Sequence, residues 1–332
     1  MKKLIFLLFT FVIIFMLSCC NGAQGMNGKE SGDAQEKATE KENPMTDFEF
    51  RDNEDGGISI TNYVGTSTEV VIPSEINGKD VTEIRAFRSF LSPAPITYVS
   101  IPDTVETIGP AAFRGYSSLE KVKLSENLKV LSAQAFMDCT NLSEIVLPKS
   151  LTIIGYEVFS NCTSLKHINI PPDFEEDGSL AFANSGLETV EIENGVEKIP
   201  YMMFYGTNIK EIILPETVRE IGYGAFNECD SLENVKLNEG LTTIDHLAFS
   251  SCANLSEIVI PSTVDNISET VFAYNNNFKK VKFDGNAPSD YINEDYRNML
   301  SPSAFPEYTI CYHEGTEGFT SPEWNGYKTE IW

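Results

Sequence analysis

The chain has few of the residues and motifs that carry enzyme chemistry. Its 332 residues include three histidines, His167, His246 and His313, and none of them lies in an H-E-x-x-H motif or a Cys-His zinc spacing. The sequence contains no C-x-x-C pair, no phosphate loop, and no G-x-S-x-G or G-x-G-x-x-G motif. We therefore expect a protein that is not an enzyme and that has no metal site and no cofactor.

Positive charge is also scarce. The chain has 24 basic and 49 acidic residues, which give a formal net charge of -25 and a pI near 4.4. A field of this sign repels phosphate backbones, so the composition argues against a nucleic-acid partner. The simplest interpretation of the charge is that it keeps the protein soluble.

What the sequence has in plenty is one repeated residue. Phenylalanine returns every 22 or 23 positions, at Phe113, Phe136, Phe159, Phe182, Phe204, Phe226, Phe249 and Phe272. A regular series of large apolar residues indicates one structural unit that is stacked many times, with each copy burying its face against its neighbours. The length of 332 residues then predicts one elongated domain.

The consensus of the copies is L-x-x-V-x-L-P followed by I-G-x-x-A-F. In one copy, Ile145 and Leu147 lie two positions apart, as the inward residues of a short half-buried strand do, and Pro148 then ends the pairing. Neighbouring copies would place such strands in parallel, about 4.8 Å apart. The sequence therefore predicts a mainly β repeat solenoid, a leucine-rich-repeat arc with parallel strands and irregular caps at both ends.

The N-terminus has the features of an export signal. Two lysines precede an apolar run over residues 4–17, which is too short to span a bilayer comfortably. The residues that follow resemble a bacterial lipobox, so we expect residues 1–18 to be a lipoprotein signal peptide and Cys19 to be lipidated. Cys20 is the less favoured lipidation site, and an ordinary signal peptide without a lipid is the alternative.

Composition divides the rest of the chain. Residues 19–46 are rich in small and charged residues and should form a lipidated, disordered tether. An alternating pattern then predicts an N-terminal cap and first irregular coil over residues 47–95, followed by the repeats over residues 96–283. Residues 284–332 contain both tryptophans of the chain, and their aromatic side chains indicate a C-terminal cap, with a ligand-binding cage as the alternative.

Four cysteines follow the repeated phenylalanine by three positions, namely Cys139, Cys162, Cys229 and Cys252. Other coils have Tyr, Ser, Thr or Asn in this column, so we expect the thiols to be small, buried turn residues in the reduced state. Cys139 and Cys162 lie one coil apart, as do Cys229 and Cys252, and this spacing permits a disulfide by distance alone.

The strand residues between the inward aliphatics form one continuous outward face. The candidate protein-binding residues on it are Glu144, Val146, His167, Glu211, Ile213, Glu257 and Val259. Val146, Ile213 and Val259 are outward aliphatics, each with a glutamate nearby, and this arrangement suits a binding patch with apolar centres and an acidic rim. The alternative is ordinary β-propensity on a solvated strand.

Several segments resemble the BspA-type leucine-rich repeat proteins of bacteria. They are V-V-I-P-S-E-I-N-G-K-D-V-T-E-I at residues 70–84, I-G-Y-G-A-F-N-E-C-D-S-L at 221–232, F-D-G-N-A-P at 283–288 and G-F-T-S-P-E-W-N-G-Y at 318–327. The resemblance runs over residues 47–332 and departs from the pattern at residues 174–178 and 286–306. Members of that family are typically secreted or cell-surface proteins, and some bind host matrix proteins, plasma proteins or other bacteria. The resemblance therefore implies a surface protein with an adhesive role.

We therefore expect an exported lipoprotein on the outer surface of a bacterium, which adheres through its sheet face to a host matrix protein or another cell-surface protein. It would contact the membrane through the N-terminal lipid only. Two other functions fit the sequence. One is a structural or assembly component of the cell envelope, and the other is a glycan-binding protein.

Overall fold

A computed structural model describes residues 40–85, 95–172, 174, 178–289 and 304–332 of the chain. The expected signal peptide and the two candidate lipidation sites, Cys19 and Cys20, lie outside the described residues. The described part of the chain forms a solenoid of short, mostly parallel strands with two short 3-10 helices. The predicted fold class, a mainly β repeat solenoid, is confirmed.

The N-terminal part contains an antiparallel hairpin and the first coil. After a 3-10 helix at Met45–Asp47 come β1 (Phe48–Asp52), β2 (Ile58–Tyr63), β3 (Glu69–Val71), β4 (Glu75–Ile76) and β5 (Lys79–Ile84). β1 pairs with β2 in antiparallel orientation, whereas β2 pairs with β5 in parallel. The hairpin therefore covers the first edge of the stack, which is where a solenoid needs a cap.

The repeats and the C-terminal part provide the remaining strands. They are β6 (Tyr98–Ser100), β7 (Thr107–Ile108), β8 (Lys121–Lys123), β9 (Val130–Leu131), β10 (Ile153–Ile154), β11 (His167–Ile170), β12 (Thr189–Ile192), β13 (Lys198–Ile199), β14 (Glu211–Ile213), β15 (Glu220–Ile221), β16 (Asn234–Lys236), β17 (Thr243–Ile244), β18 (Glu257–Ile260), β19 (Asn266–Ile267), β20 (Lys280–Phe283), β21 (Thr309–Tyr312), β22 (Glu323–Trp324) and β23 (Tyr327–Ile331). The second 3-10 helix, Glu269–Phe272, lies between β19 and β20.

These strands form two ladders of parallel pairs on different flanks of the coils. The longer strands pair as β3-β6-β8, β11-β12, β14-β16 and β18-β20-β21-β23. The two-residue strands pair as β7-β9-β10, which continue from the six-residue β5, and as β13-β15-β17-β19. Between Ile154 and Lys198 the described residues add no strand to this second ladder, and that interval contains residues 174–178, where the sequence departs from the repeat.

The repeated phenylalanines form a single buried column. Their rings are 0–1% exposed, and successive ring centroids lie 5.1–6.4 Å apart with interplanar angles of 2–11°. Distances in this range are those of favourable aromatic pairs, so each ring packs on the ring of the coil before and after it. The column is thus the contact through which every coil buries its turn against its neighbours.

The backbone around each ring adds hydrogen bonds along the stack. Near Phe113, the residues two positions before and after it, Ala111 and Gly115, have positive φ values of 53° and 76°. The Phe113 N–H donates to the Ala135 carbonyl of the next coil at 2.8 Å, and the Gly115 N–H donates to Met137 at 2.8 Å. The left-handed residues therefore turn alternate N–H groups toward the neighbouring coil, although most of them are not glycines.

The aromatic residues near the C-terminus pack on the last coils. Tyr308 lies edge-on to Phe278 at 5.3 Å and stacks on Tyr327 at 4.4 Å. Tyr308, Trp324 and Tyr327 are each less than 9% exposed. These rings cover apolar surface at the end of the stack and leave little of their own faces to a ligand.

The described cysteines are free thiols and are buried. Cys139, Cys162 and Cys252 each donate an S–H hydrogen bond to the carbonyl of the repeated phenylalanine one coil earlier, at 3.1–3.2 Å. In the last coil of the column, Asn275 Nδ2 makes the equivalent bond to Phe249 at 2.8 Å. In these four coils the residue of this column is therefore a small donor that binds the preceding turn.

Candidate functional site: the sheet face

The sheet face consists of the outward side chains of the ladder of longer strands. In the repeats these are Lys121, Lys123, Glu144, Val146, His167, Asn169, Thr189, Glu191, Glu211, Ile213, Asn234, Lys236, Glu257, Val259, Lys280 and Lys282, all of them exposed or half-buried. Five are lysines and four are glutamates, in a chain whose net charge is -25. The face is thus close to neutral while the rest of the molecule is strongly acidic.

All seven predicted binding residues lie on this face and are exposed. The three aliphatics are the most notable, because Val146 is 72% exposed, Ile213 57% and Val259 37%. They occupy equivalent positions in their coils, three coils apart and then two coils apart, which corresponds to about 14 Å and about 10 Å along the stack. The structure therefore places them in one row but separates them by polar residues, so they do not form one continuous patch.

Three glutamates, Glu144, Glu211 and Glu257, lie near the exposed aliphatics, and two of them form ion pairs. Glu144 forms an ion pair with Lys121 of the preceding coil at 2.5 Å, and Glu257 forms one with Lys282 of the following coil at 2.9 Å. Among the described residues, no cation lies within ion-pair distance of Glu211. The carboxylates therefore form part of a mixed-charge surface in which Glu144 and Glu257 are each neutralised by a different lysine.

His167 and Asn169 complete the middle of the face. Nδ1 of His167 lies 2.9 Å from the Thr189 hydroxyl in the next coil. Asn169 accepts a hydrogen bond from the Leu147 N–H at 3.0 Å and donates one to the Leu147 carbonyl at 2.8 Å. The Asn169 side-chain amide thus makes the two hydrogen bonds to Leu147 that the backbone of a paired strand would otherwise make. In the described part of the chain, the coil of Leu147 has no strand in the ladder, and its only bridge there joins Glu144 to Lys121.

A groove crosses the face at this irregular coil. Its volume is about 770 Å³, and it is lined by Tyr98, Lys123, Val146, Asn169 and Glu191, among others. Volumes in this range are typical of ligand-binding clefts. One wall is Glu40, which lies in the segment expected to be a tether, and no motif in the sequence predicted its place on the face.

The described residues do not suggest other kinds of site. No group of three or more His, Cys, Asp or Glu side chains among them is arranged to hold a metal ion. Within the same residues, no helix is both long and apolar enough to cross a membrane.

Comparison with known proteins identifies relatives of the repeats. Residues 83–207 and 197–296 match the family described as "BspA type Leucine rich repeat region", in six copies. No curated protein sequence matches the chain.

Solved structures with the same type of repeat are also similar. A leucine rich cell surface protein of Faecalibacterium prausnitzii is 23% identical, with a TM-score of 0.55, over 84% of this chain and 90% of that one. The leucine rich repeat protein TpLRR of T. pallidum is 29% identical, with a TM-score of 0.49, over 65% of this chain and 91% of that one. The first of these likenesses supports the fold.

Proposed function

The chain belongs to the BspA-type leucine-rich repeat family, and from this membership we propose that it is a surface-displayed protein that binds another protein through its sheet face. The family match spans most of the repeats. Proteins built from such repeats are binding scaffolds in general, and the proposal assigns this chain no catalytic activity. Adhesion to a host matrix protein or to a neighbouring cell is the specific role that we infer.

The observation that carries the proposal is the row of exposed aliphatics on a rigid, nearly neutral face. Val146 and Ile213 are more than half exposed and are held on strands whose inward residues are fully packed. A protein interface combines apolar contacts with a polar surround, and these aliphatics, which are set among charged residues, offer a partner such contacts at separate points of one row. The near-neutral charge also lowers the repulsion that an acidic partner would otherwise meet.

Binding by this face can be tested with a pair of substitutions. Val146→Glu combined with Ile213→Glu should weaken saturable binding to immobilised extracellular-matrix proteins by about tenfold or more, since it places charge in two apolar contacts. Val64→Glu is the matched control, because Val64 is 51% exposed and lies outside the sheet face. Equal binding by the unaltered protein, the double variant and the Val64→Glu control would show that the binding site lies outside this face.

We further propose that Cys19 carries a lipid that anchors the protein to the membrane. The support is the apolar run over residues 4–17 and the lipobox-like residues after it. Cells fed a clickable fatty acid should label the protein, Cys19→Ala should abolish the labelling, and Cys20→Ala should retain it. The reverse result would make Cys20 the lipidated residue.

The alternative, a structural component that faces the periplasm, predicts a different exposure to protease. A surface protein is degraded when intact cells are treated with protease, and a periplasmic protein survives. The F. prausnitzii relative is named as a cell surface protein, which favours degradation. The glycan-binding alternative has less support, because Tyr308, Trp324 and Tyr327 of the C-terminal part are buried.

A further inference from the structure

The N-terminal segment, residues 40–44, lies on the sheet face of the first coils. Asn43 N–H donates to the Val71 carbonyl at 2.9 Å, and the Asn43 side-chain oxygen accepts from the Val71 N–H at 2.8 Å. These bonds occupy the open edge of β3. The Glu42 carboxylate accepts from both the backbone N–H and the hydroxyl of Ser74 at 3.0 Å.

Glu40 extends from this edge onto the face itself. Its carboxylate accepts a hydrogen bond from the Tyr98 hydroxyl of β6 at 2.8 Å and lies 3.6 Å from the Lys123 ammonium of β8. Two strand spacings, about 10 Å, separate β3 from β8, and three extended residues span about that distance. The segment therefore runs across the strands in an extended conformation.

The surroundings of Glu40 stabilise a negative charge. The hydrogen bond from Ser100 has the largest effect and lowers the pKa of the Glu40 carboxyl. Burial, the second effect, raises this pKa, but Tyr98 and Lys123 lower it further, so the pKa lies below its ordinary value. Tyr98, Ser100 and Lys123 come from two adjacent strands and converge on one carboxylate. This end of the face is thus a site that already binds an acidic side chain.

The groove continues from Glu40 toward later coils. Apart from Lys123 it is lined by Lys121, Val146, Lys149 and His167, and also by the carboxylates of Glu126, Glu144, Glu191 and Glu193. Lys121 forms an ion pair with Glu144 in which both side chains are exposed, and such a pair opens at little cost. The exposed Lys149 pairs with the half-buried Glu193. An extended chain that entered here would meet a carboxylate site first, then lysines, and then the exposed Val146.

We propose that this groove binds an extended segment of a partner protein that places an acidic side chain against Tyr98, Ser100 and Lys123, and that residues 40–43 hold this end of the site in cis until the partner displaces them. The inference rests on the proposed role of the sheet face and names the chemistry of its partner. The cis contacts of Glu40 and Glu42 are solvent-exposed, and each ordered residue loses conformational entropy, so these contacts hold the segment weakly enough for it to be displaced.

The test uses a labelled peptide with the sequence of residues 40–46 and the purified chain. Glu40→Ala, Glu42→Ala and Asn43→Ala together vacate the site. If the cis segment fills the site for about nine-tenths of the time, the triple variant should bind the peptide about tenfold more tightly than the unaltered protein in fluorescence anisotropy. A peptide with both glutamates replaced by glutamine should bind less tightly.

Two charge reversals locate the site. Adding Lys123→Glu to the triple variant should abolish the gain, whereas adding Lys236→Glu should not, because Lys236 occupies the equivalent position of a coil outside the groove. Equal losses from both reversals would overturn the proposal in favour of unspecific charge attraction. No gain in the triple variant would overturn the competition in cis.

Folding and function can be separated from this result. If the triple variant melts at a lower temperature, Glu40→Gln alone provides the test, because it keeps the edge contacts of Glu42 and Asn43. This single variant should still bind the peptide more tightly than the unaltered protein does. Suppose that the triple variant binds the peptide and that the Val146→Glu, Ile213→Glu variant binds matrix proteins as well as the unaltered protein does. The proposed binding of matrix proteins by the sheet face would then be rejected, and the groove would be retained. If the Val146→Glu, Ile213→Glu variant loses matrix binding and the triple variant does not bind the peptide, the sheet face would be retained and the groove proposal rejected.

Discussion

The two flanks of each coil differ in how strictly the sequence is constrained. On the turn flank the same residue, phenylalanine, occupies the column in eight successive coils and is 0–1% exposed in all of them. On the sheet face the sixteen outward positions hold seven kinds of residue, which are exposed or half-buried. Folding therefore determines the residue on one flank and leaves the other to be set by what the protein contacts.

The physical reason is the number of coils that each side chain must satisfy. A ring in the column packs on two neighbours, so a smaller residue leaves a cavity that both neighbouring coils share. Apart from Asn169, which hydrogen-bonds the Leu147 backbone, an outward side chain on the sheet face contacts mainly solvent and the side chains of adjacent strands. Its replacement costs little unless a partner is bound.

The largest expected effect is the loss of one ring from the column. Phe159 lies between Phe136 and Phe182, with centroid distances of 5.5 Å and 5.3 Å. Phe159→Ala should lower the free energy of unfolding by about 3–5 kcal/mol in chemical denaturation, because it removes buried area and leaves a cavity. Val146→Ala on the sheet face should change it by less than about 0.5 kcal/mol.

Comparable losses in these two variants would contradict the division of the coil into a folding flank and a free flank. Because a solenoid coil contacts only its neighbours, Phe159→Ala should also broaden the transition. A sharp transition at an unchanged denaturant concentration would show that the column is dispensable.

The second effect concerns the thiols beside the column at alkaline pH. Burial raises the pKa of Cys139 and of Cys229 from an ordinary value near 9.0 to about 12. Below pH 9 both the folded and the unfolded states hold the thiol proton, and stability is unaffected. As the pH rises above 9, the unfolded chain ionises first, so the free energy of unfolding falls until the folded thiol also ionises near pH 12.

This pH dependence can be assigned to one residue by substitution. At pH 10 a single such thiol should cost about 1.4 kcal/mol relative to pH 7. Threonine occupies the same column at Thr207, so Cys139→Thr is a conservative replacement without an ionisable group. The variant should lose less stability between these pH values than the unaltered protein does, and an identical loss would assign the effect to tyrosines and lysines.

The repeat itself could be predicted from the sequence, and the reason is its redundancy. A spacing of 22 or 23 residues, seen many times, fixes the stack, the parallel strands and the buried rings, and all of these are confirmed. The hydrogen bonds of the turns were not predicted. Left-handed residues such as Gln134 and Glu157 are not glycines, so the sequence gives no sign of their conformation.

The candidate site was predicted only in outline. Alternation within each strand identifies which side chains face outward, and the seven residues do lie on one exposed face. Their mutual arrangement depends on contacts between coils that no repeat pattern contains. The ion pair between Lys121 and Glu144 and the docking of Glu40 on Tyr98 both join residues at least 23 positions apart in the sequence.

The smallest expected effect lies on the sheet face. Lys121 and Glu144 pair at 2.5 Å, but their side chains are 54% and 63% exposed, so water screens the attraction. A double-mutant cycle with Lys121→Ala and Glu144→Ala should give a coupling energy of about 0–1 kcal/mol, which 1 M salt removes because the screening length there is about 3 Å. A coupling well above that range and independent of salt would mean that this face also holds the coils together. The distinction between the two flanks would then fail where the groove begins, and the residues around Val146 would have to be counted as part of the folding core.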